Sequence, residues 1–502
     1  MHPSRCAAGC DRCHDLNRRA FLGSSALLVG SSMLGGGRVL AAEGPEPVRL
    51  NGPGSKYTPT VKATFVRRKD PAFGTAWPGE VYDPVAAEKM YTEKIRKTAA
   101  GLGMKVDVRP EPIYSHAEAD RWLAEAKESK PDGLMLVLLD RQQHSWPTAE
   151  KAVDSGIPTL IYSPVGTSMT PNTRSLSKRL GCLIYSTDDF SQPALGMKML
   201  WAGAKMRAAR YIVLCGDKEY DTTLGDLRLP LRYVPPKAFI DLYRSMPETE
   251  QMRAMADDYI QRAVKVRDVE RQDVINGARC YFVAREILKQ YEGDAITMDC
   301  LHAIGPTSMS LPCLAWSRLN DERVPAACEA DLGAIATSLI VHYLLDRPGF
   351  QQDPVGETAQ KAIIGAHCSC PTLLAGFDQP AEPFVLRHHH ANRDSTTQTL
   401  WRKGQAVTSV DVLVSGRDEI VPRDPKQADP AKPSKLLVST GRVLGNVAVP
   451  PAGGCVTSVM VRFDGVDDVL AYPGFHQLFV YGNHEEALVD FGRLQKIEPR
   501  VV

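Results

Sequence analysis

Hydrophobic and polar positions change their spacing several times along this 502-residue chain, and the changes divide it into regions. From Val61 onward, strands and helices alternate. Val61-Lys62-Ala63-Thr64-Phe65-Val66 reads as a strand, 85–102 as an amphipathic helix, 105–109 as a strand and 116–127 as a helix. Gly133 to Leu139 is almost wholly apolar, as expected of a parallel strand covered on both faces by helices. A short helix around Lys151 and Ala152 and a strand at 158–162 complete a Rossmann-like pattern. The polar run 170–177 marks a boundary. A second α/β unit then reads as a strand at 182–185, a helix at 194–209 and a strand at 211–215. An irregular Leu/Arg/Pro-rich loop at 225–236 follows, with helices at 238–244, 250–263 and 274–290.

After Phe350 helical periodicity fades. Short strands are predicted at 362–367, 384–389, 407–413, 435–439 and 457–463, and the proline-rich run 422–435 reads as a solvated loop. Many short strands predict a small barrel or sandwich. The expected fold is therefore α/β. Two Rossmann-like parallel-sheet domains (43–178 and 179–355) are followed by a mostly-β, barrel-like C-terminal domain (356–502).

The first 42 residues are set apart from this fold. Asn17-Arg18-Arg19-Ala20-Phe21-Leu22, an uncharged 20–37 stretch and Val39-Leu40-Ala41-Ala42 read as a twin-arginine export signal cleaved after Ala41 or Ala42. The expected location is periplasmic or otherwise outside the cytoplasm, with no stable membrane span after cleavage. Cys10-Asp11-Arg12-Cys13-His14 has the spacing of a haem attachment motif, but it falls in the part that stays cytoplasmic, so haem is excluded. The formal charge of the full chain is +1, and losing five Arg and two Asp with the leader leaves about −2. No basic face suited to a phosphate backbone follows from this balance, so nucleic acid is excluded as a partner. No G-x-G-x-x-G follows the first strand, which removes a dinucleotide site. At the end of the Gly133 strand, Asp140, Gln142 and Gln143 could reach a sugar hydroxyl, with surface polarity as the other reading. Nine cysteines remain after the leader, an odd number in mostly apolar settings, and no disulfide framework is expected. The spacings of Cys300, Cys313 and Cys328 and of Cys368-Ser369-Cys370 match no structural zinc pattern.

The stretch 294–331 concentrates the candidate chemistry. Ala295-Ile296-Thr297-Met298 reads as a buried strand that ends in Asp299-Cys300. Pro312, Asn320 and Pro325 are expected to forbid helix for long, and Glu329 and Asp331 stand at the mouth of a helix from Leu332 to Leu345. Either carboxylate could be a plain helix cap.

Six motifs in order resemble the L-fucose/L-arabinose isomerase group of metal-dependent sugar isomerases. They are Thr297-Met298-Asp299-Cys300, Pro312-Cys313-Leu314-Ala315, Ala327-Cys328-Glu329-Ala330-Asp331, Ile364-Gly365-Ala366-His367-Cys368, Leu386-Arg387-His388-His389 and Gly474-Phe475-His476. The resemblance runs over roughly 225–485. It implies an aldose–ketose isomerase that moves a proton between C1 and C2 of an open-chain sugar through an enediol, assisted by Mn²⁺ or another divalent cation. It implies Glu329 and Asp353 as the acid/base pair, and Glu329, Asp353, His367 and His476 as metal ligands. By the same match His389 would contact the monosaccharide, with Asp299 beside it. Trp316 could stack under a sugar ring, with core packing as the default reading of a lone Trp. A homo-oligomer is implied as well, because family sites are completed by a neighbouring subunit. Of the run His388-His389-His390, only His388 and His390 could share one face of a strand. The chain is shorter than the fucose enzymes and its first region matches poorly. The alternative is therefore an exported, non-catalytic sugar-binding relative.

Overall fold

The computed structural model describes residues 46–69, 83–141, 144–389, 394–416, 423–448 and 455–502. The expected leader, Gln142, Gln143 and His390 lie outside these residues.

Five strands, β1 (Thr60–Val66), β2 (Lys105–Val108), β3 (Gly133–Leu138), β4 (Thr159–Tyr162) and β5 (Cys182–Tyr185), form an all-parallel sheet in the order β2-β1-β3-β4-β5. Every residue of β3 is buried, which explains its unbroken apolar run. One expectation is corrected here. Cys182–Tyr185 hydrogen-bonds to β4 and so closes the first sheet, instead of opening a second domain at 179. The polar run before it is only the link between two neighbouring strands.

The chain continues through β6 (Tyr211–Leu214), β7 (Tyr220–Leu224), β8 (Leu229–Val234), the short β9 (Lys265–Arg267), β10 (Ala295–Met298) and β11 (Ala326–Cys328). The second sheet has the order β11-β10-β6-β8-β7, parallel except for β7 at the edge. Half of the expected irregular loop at 225–236 is thus strand. Leu229, Leu231 and Tyr233 alternate inward, and Pro230 pairs only with Thr223 of the edge strand, where its missing N–H is tolerated. Pro312 does not stop helix either. It precedes the helix Cys313–Asp321, where a missing N–H costs nothing.

The remaining strands are β12 (Phe350–Gln351), β13 (Asp353–Glu357), β14 (Ala362–His367), β15 (Phe384–Arg387), β16 (Thr396–Thr399), β17 (Ala406–Leu413), β18 (Lys435–Asn446), β19 (Thr457–Phe463), β20 (Leu478–Tyr481) and β21 (Glu498–Val501). Strands β9, β15 and β16 form a small sheet of their own. The others make a curled, mostly antiparallel sheet in the order β12-β20-β17-β18-β19-β14-β13, with β21 beside β18. The two ends of that order are consecutive in the chain, with only Gln352 between them. One run, 350–357, therefore pairs with β20 by its first half and with β14 by its second, and the sheet comes round on itself. Asp353 consequently belongs to the β-rich part and not to the α/β part ending at 355. A helix at Glu485–Gln495, unforeseen in the sequence, packs under β18.

The helix Leu332–Leu345 joins these layers. It is buried on nearly every side, so it is apolar all round and has no hydrophilic stripe. Gly333 lets it approach β17 closely, because a Cβ there would stand 2.8 Å from the Val412 carbonyl oxygen. The hydroxyl of Thr337 accepts the Val412 N–H at 2.8 Å. One hydrophobic core runs from the first sheet through this helix into the barrel, and residues 44–502 form a single compact unit. Among the described residues, no helix is long and apolar enough to cross a membrane.

Candidate functional site

The C-terminal ends of three neighbouring parallel strands, β6, β10 and β11, carry Cys215, Asp299 and Glu329 to one edge of the second sheet. That edge is where open α/β sheets bind ligands. At the end of β11 the backbone turns sharply. Glu329 and Ala330 take φ of 64° and 56°, left-handed values that L-residues adopt rarely and at a cost. The turn is held by the Ala330 N–H, which donates to the Met298 carbonyl at 3.0 Å, and by the Cys328 N–H, which donates to Gln351 Oε1 at 2.8 Å.

The two carboxylates that follow divide the work. Asp331 caps the helix, its Oδ1 accepting the N–H groups of Gly333 at 2.7 Å and Ala334 at 3.0 Å. Its Oδ2 accepts from Nδ1 of His476 at 2.9 Å. Glu329 makes no cap and points instead toward the barrel.

From the barrel come His367 at the end of β14, Asp353 at the start of β13 and His476 just before β20. His476 is fully buried, with φ of 57°. With Nδ1 fixed by Asp331, its Nε2 stands 3.0 Å from Asp353 Oδ1 and 3.8 Å from Glu329 Oε2. The His367 ring meets it edge-on, with centroids 5.7 Å apart. Glu329, His367 and His476 each offer a ligand atom, and the three atoms lie within 4.8 Å of one another. Burial by itself would lower the His476 pKa, but the contacts to Asp331 and Asp353 outweigh it and push the group up to about 10. Burial raises the Glu329 carboxyl, the His476 and Arg423 charges pull it down, and Asp353 pushes it up again, leaving a net rise.

This donor set fits a divalent cation. Carboxylate and imidazole donors suit Mn²⁺, and no thiol is among them. With a cation bound at Nε2, Asp331 and His476 would make a carboxylate–histidine–metal arrangement, which orients a ring and fixes its tautomer.

A basic group missed in the sequence completes the rim. Arg423 places Nη2 3.4 Å from Glu329 Oε2 and Nη1 3.7 Å from Asp299 Oδ1, while His302 Nδ1 lies 2.8 Å from the same Asp299 oxygen. The run 422–435, expected to be only a solvated loop, thus delivers a cation to the site. Nothing in its proline-rich composition signals this. A cleft of about 610 Å³ opens beside Arg423, lined also by Cys215, Tyr220 and Tyr233.

Three expected substrate contacts fare differently. Asp299 stands at the rim. Trp316 is fully buried and packs edge-on against Phe239, with centroids 6.3 Å apart, so no face is left for a sugar ring. His389 is buried against Cys313 and Cys368. In the first sheet, Asp140 is also buried and forms an ion pair with Arg68, so surface polarity is not its role.

No protein family and no curated protein matches the chain. Among solved structures it matches a solute-binding protein of an ABC transporter from Burkholderia multivorans, crystallised with an unknown ligand. Identity is 13%, over 50% of this chain and 83% of that one, with a TM-score of 0.17. So slight a likeness carries no argument.

Proposed function

We propose that the protein is a ketol isomerase that interconverts an open-chain pentose or 6-deoxyhexose aldose with its ketose. The observation that carries this reading is the convergence of Glu329, Asp353, His367 and His476. They arrive from four separate elements, with both acids close to one imidazole edge. A divalent cation bound there would polarise two neighbouring sugar oxygens and spread the negative charge that develops on them.

The chain's own groups supply the rest. Glu329, raised by burial, has the basicity to take the proton from one carbon and return it to the next. Asp353, at the same Nε2 edge of His476 as Glu329, exchanges the second proton, and Asp331 at Nδ1 keeps the imidazole from turning. Arg423 holds the Glu329 carboxylate in place and faces Asp299 across the rim. Export by the twin-arginine route and a homo-oligomeric state belong to the same proposal.

The test is aldose-to-ketose conversion over a panel of pentoses and hexoses, with Mn²⁺ restored after chelation. Turnover of at least one sugar, lost on chelation and regained with Mn²⁺, is expected. No turnover of any sugar by metal-loaded protein would overturn the proposal. Thermal stabilisation by a sugar without turnover would leave a binding protein in its place.

A further inference from the structure

The thiol cluster behind the site has a chemistry of its own. Cys313, Cys368 and His389 are all buried, and each offers a ligand atom within 4.8 Å of the other two. Cys368 is in hydrogen-bonding contact with both Cys313 and Cys455. None of these cysteines is in a disulfide. Cys328, nearby, is engaged separately by the Ser369 hydroxyl at 3.1 Å. Thiols alone would be ordinary core filler. A buried imidazole beside two of them adds a nitrogen donor to the sulfurs, which is the mixed donor set of a metal site.

We propose that Cys313, Cys368 and His389, with Cys455 as fourth donor, form a structural Zn²⁺ site distinct from the Glu329 cluster. Three thiolates and one imidazole are a tetrahedral zinc set, whereas the carboxylate-rich cluster suits a harder cation. Tetrahedral zinc needs its ligand atoms roughly 3.5–3.8 Å apart, which small side-chain rotations supply from the observed spacing. Cys313 is the first residue of its nine-residue helix, so the positive end of the dipole joins the Cys368 contact in opposing the burial that pushes this thiol up to about 12. The four donors come from that helix, the end of β14, the end of β15 and the start of β19. Because the donors lie up to 142 positions apart in sequence, no short spacing motif announces them.

The position of the site also has a consequence. His367 and Cys368 are neighbours at the end of β14, and adjacent residues there face opposite ways. One joins the Glu329 cluster and the other the thiol cluster. A cation held by Cys368 therefore fixes the strand end from which His367 reaches forward.

Elemental analysis of the full-length protein, purified under reducing conditions, is expected to find one zinc per chain that survives dialysis against a mild chelator. Replacing it with Co²⁺ should produce a thiolate-to-cobalt charge-transfer band. Titrating the thiols of the native protein with a mercurial should release the zinc in step with cysteine modification. Glu329→Gln should keep this zinc. Cys368→Ser risks misfolding, so the informative variant is Cys455→Ser at the half-buried position. It should weaken zinc binding by more than the roughly 10–100-fold typical of losing an outer partner of a ligand. The proposal falls if Co²⁺ binds without the thiolate band. It falls equally if the zinc is lost with Glu329→Gln, or if mass spectrometry of unreduced protein shows Cys313 and Cys368 joined as a disulfide.

Discussion

The two parallel sheets present the same kind of edge and do opposite things with it. In the first, β3 runs out into the buried Asp140, and the part-buried Arg68, just past the end of β1, forms an ion pair with it. In the second, β11 runs out into Glu329, but the chain turns left-handed there and the barrel returns against it with Asp353, His367 and His476. Both edges are where ligands bind in such sheets. The difference is what faces the carboxylate: a fixed counter-charge in one, and a set of titratable donors as well as the Arg423 guanidinium in the other. Topology supplies a place for a site, and the partner layer decides whether one is built.

The largest effect expected from this contrast is on turnover. Glu329→Gln keeps the shape of the side chain and removes its charge and basicity. Turnover should fall about 10²–10⁴-fold, further than metal content falls. Because Asp331 and not Glu329 caps the helix, melting temperature should barely change. A variant that kept its activity and lost stability would reverse the roles of these two acids.

In the first sheet the same kind of change should do the reverse. Asp140→Asn removes the buried charge that pairs with the part-buried Arg68 guanidinium, costing roughly 3 kcal/mol, while activity of the folded fraction stays intact. Denaturant unfolding followed beside activity separates the two edges. Lost activity at full stability would move the site to the first sheet.

Much of the contrast is legible in the sequence, and what is not has physical causes. The all-apolar Gly133 strand and the all-apolar Leu332 helix announce their burial directly. Periodicity reports burial and is silent about which strand pairs with which. Hence Cys182–Tyr185 reads as the start of a domain when it is the fifth strand of a sheet. The Leu229 strand is hidden by its proline. The return of the barrel through Gln352, which brings Asp353 home, depends on pairings far apart in sequence. Glu329, His367 and His476 are singled out by resemblance, and the fold brings them together. The same resemblance points to His389, which sits among thiols instead, while Trp316 takes the core-packing role that is the default for a lone Trp. Arg423 and the thiol cluster assemble only in three dimensions.

A smaller effect should appear with pH in chelated protein. His476 is raised from its ordinary 6.5 to about 10 in the folded state, so its protonated form favours folding. That stabilisation is complete below about pH 6.5 and is lost as pH rises toward 10. Over the same window Mn²⁺ should bind more tightly, because ligation requires the neutral ring. The Arg68–Asp140 contact contains no histidine to titrate in this window. Melting temperatures of chelated wild type and His476→Gln between pH 6.5 and 10 make the comparison. Equal slopes would mean that His476 does not carry the proton.

The smallest effect tests the left-handed corner itself. Ala330 is fully buried with φ of 56°, a conformation that costs an L-residue roughly 1–2 kcal/mol and glycine nothing. Ala330→Gly relieves that cost. It forfeits about 0.8 kcal/mol of methyl burial and up to about 1 kcal/mol to the freer unfolded chain, so the net change should lie within about 1 kcal/mol of zero. Ala149, equally buried but in the helix Ser145–Asp154 beside the first sheet, has no strain to relieve. There the same substitution should cost about 1–2 kcal/mol. Yet Ala330→Gly should reduce turnover, because a glycine hinge lets Glu329 wander from His476, while Ala149→Gly should not. Equal losses of stability at the two positions would show that the β11 corner stores no strain, and the turn would then have to be explained by packing alone.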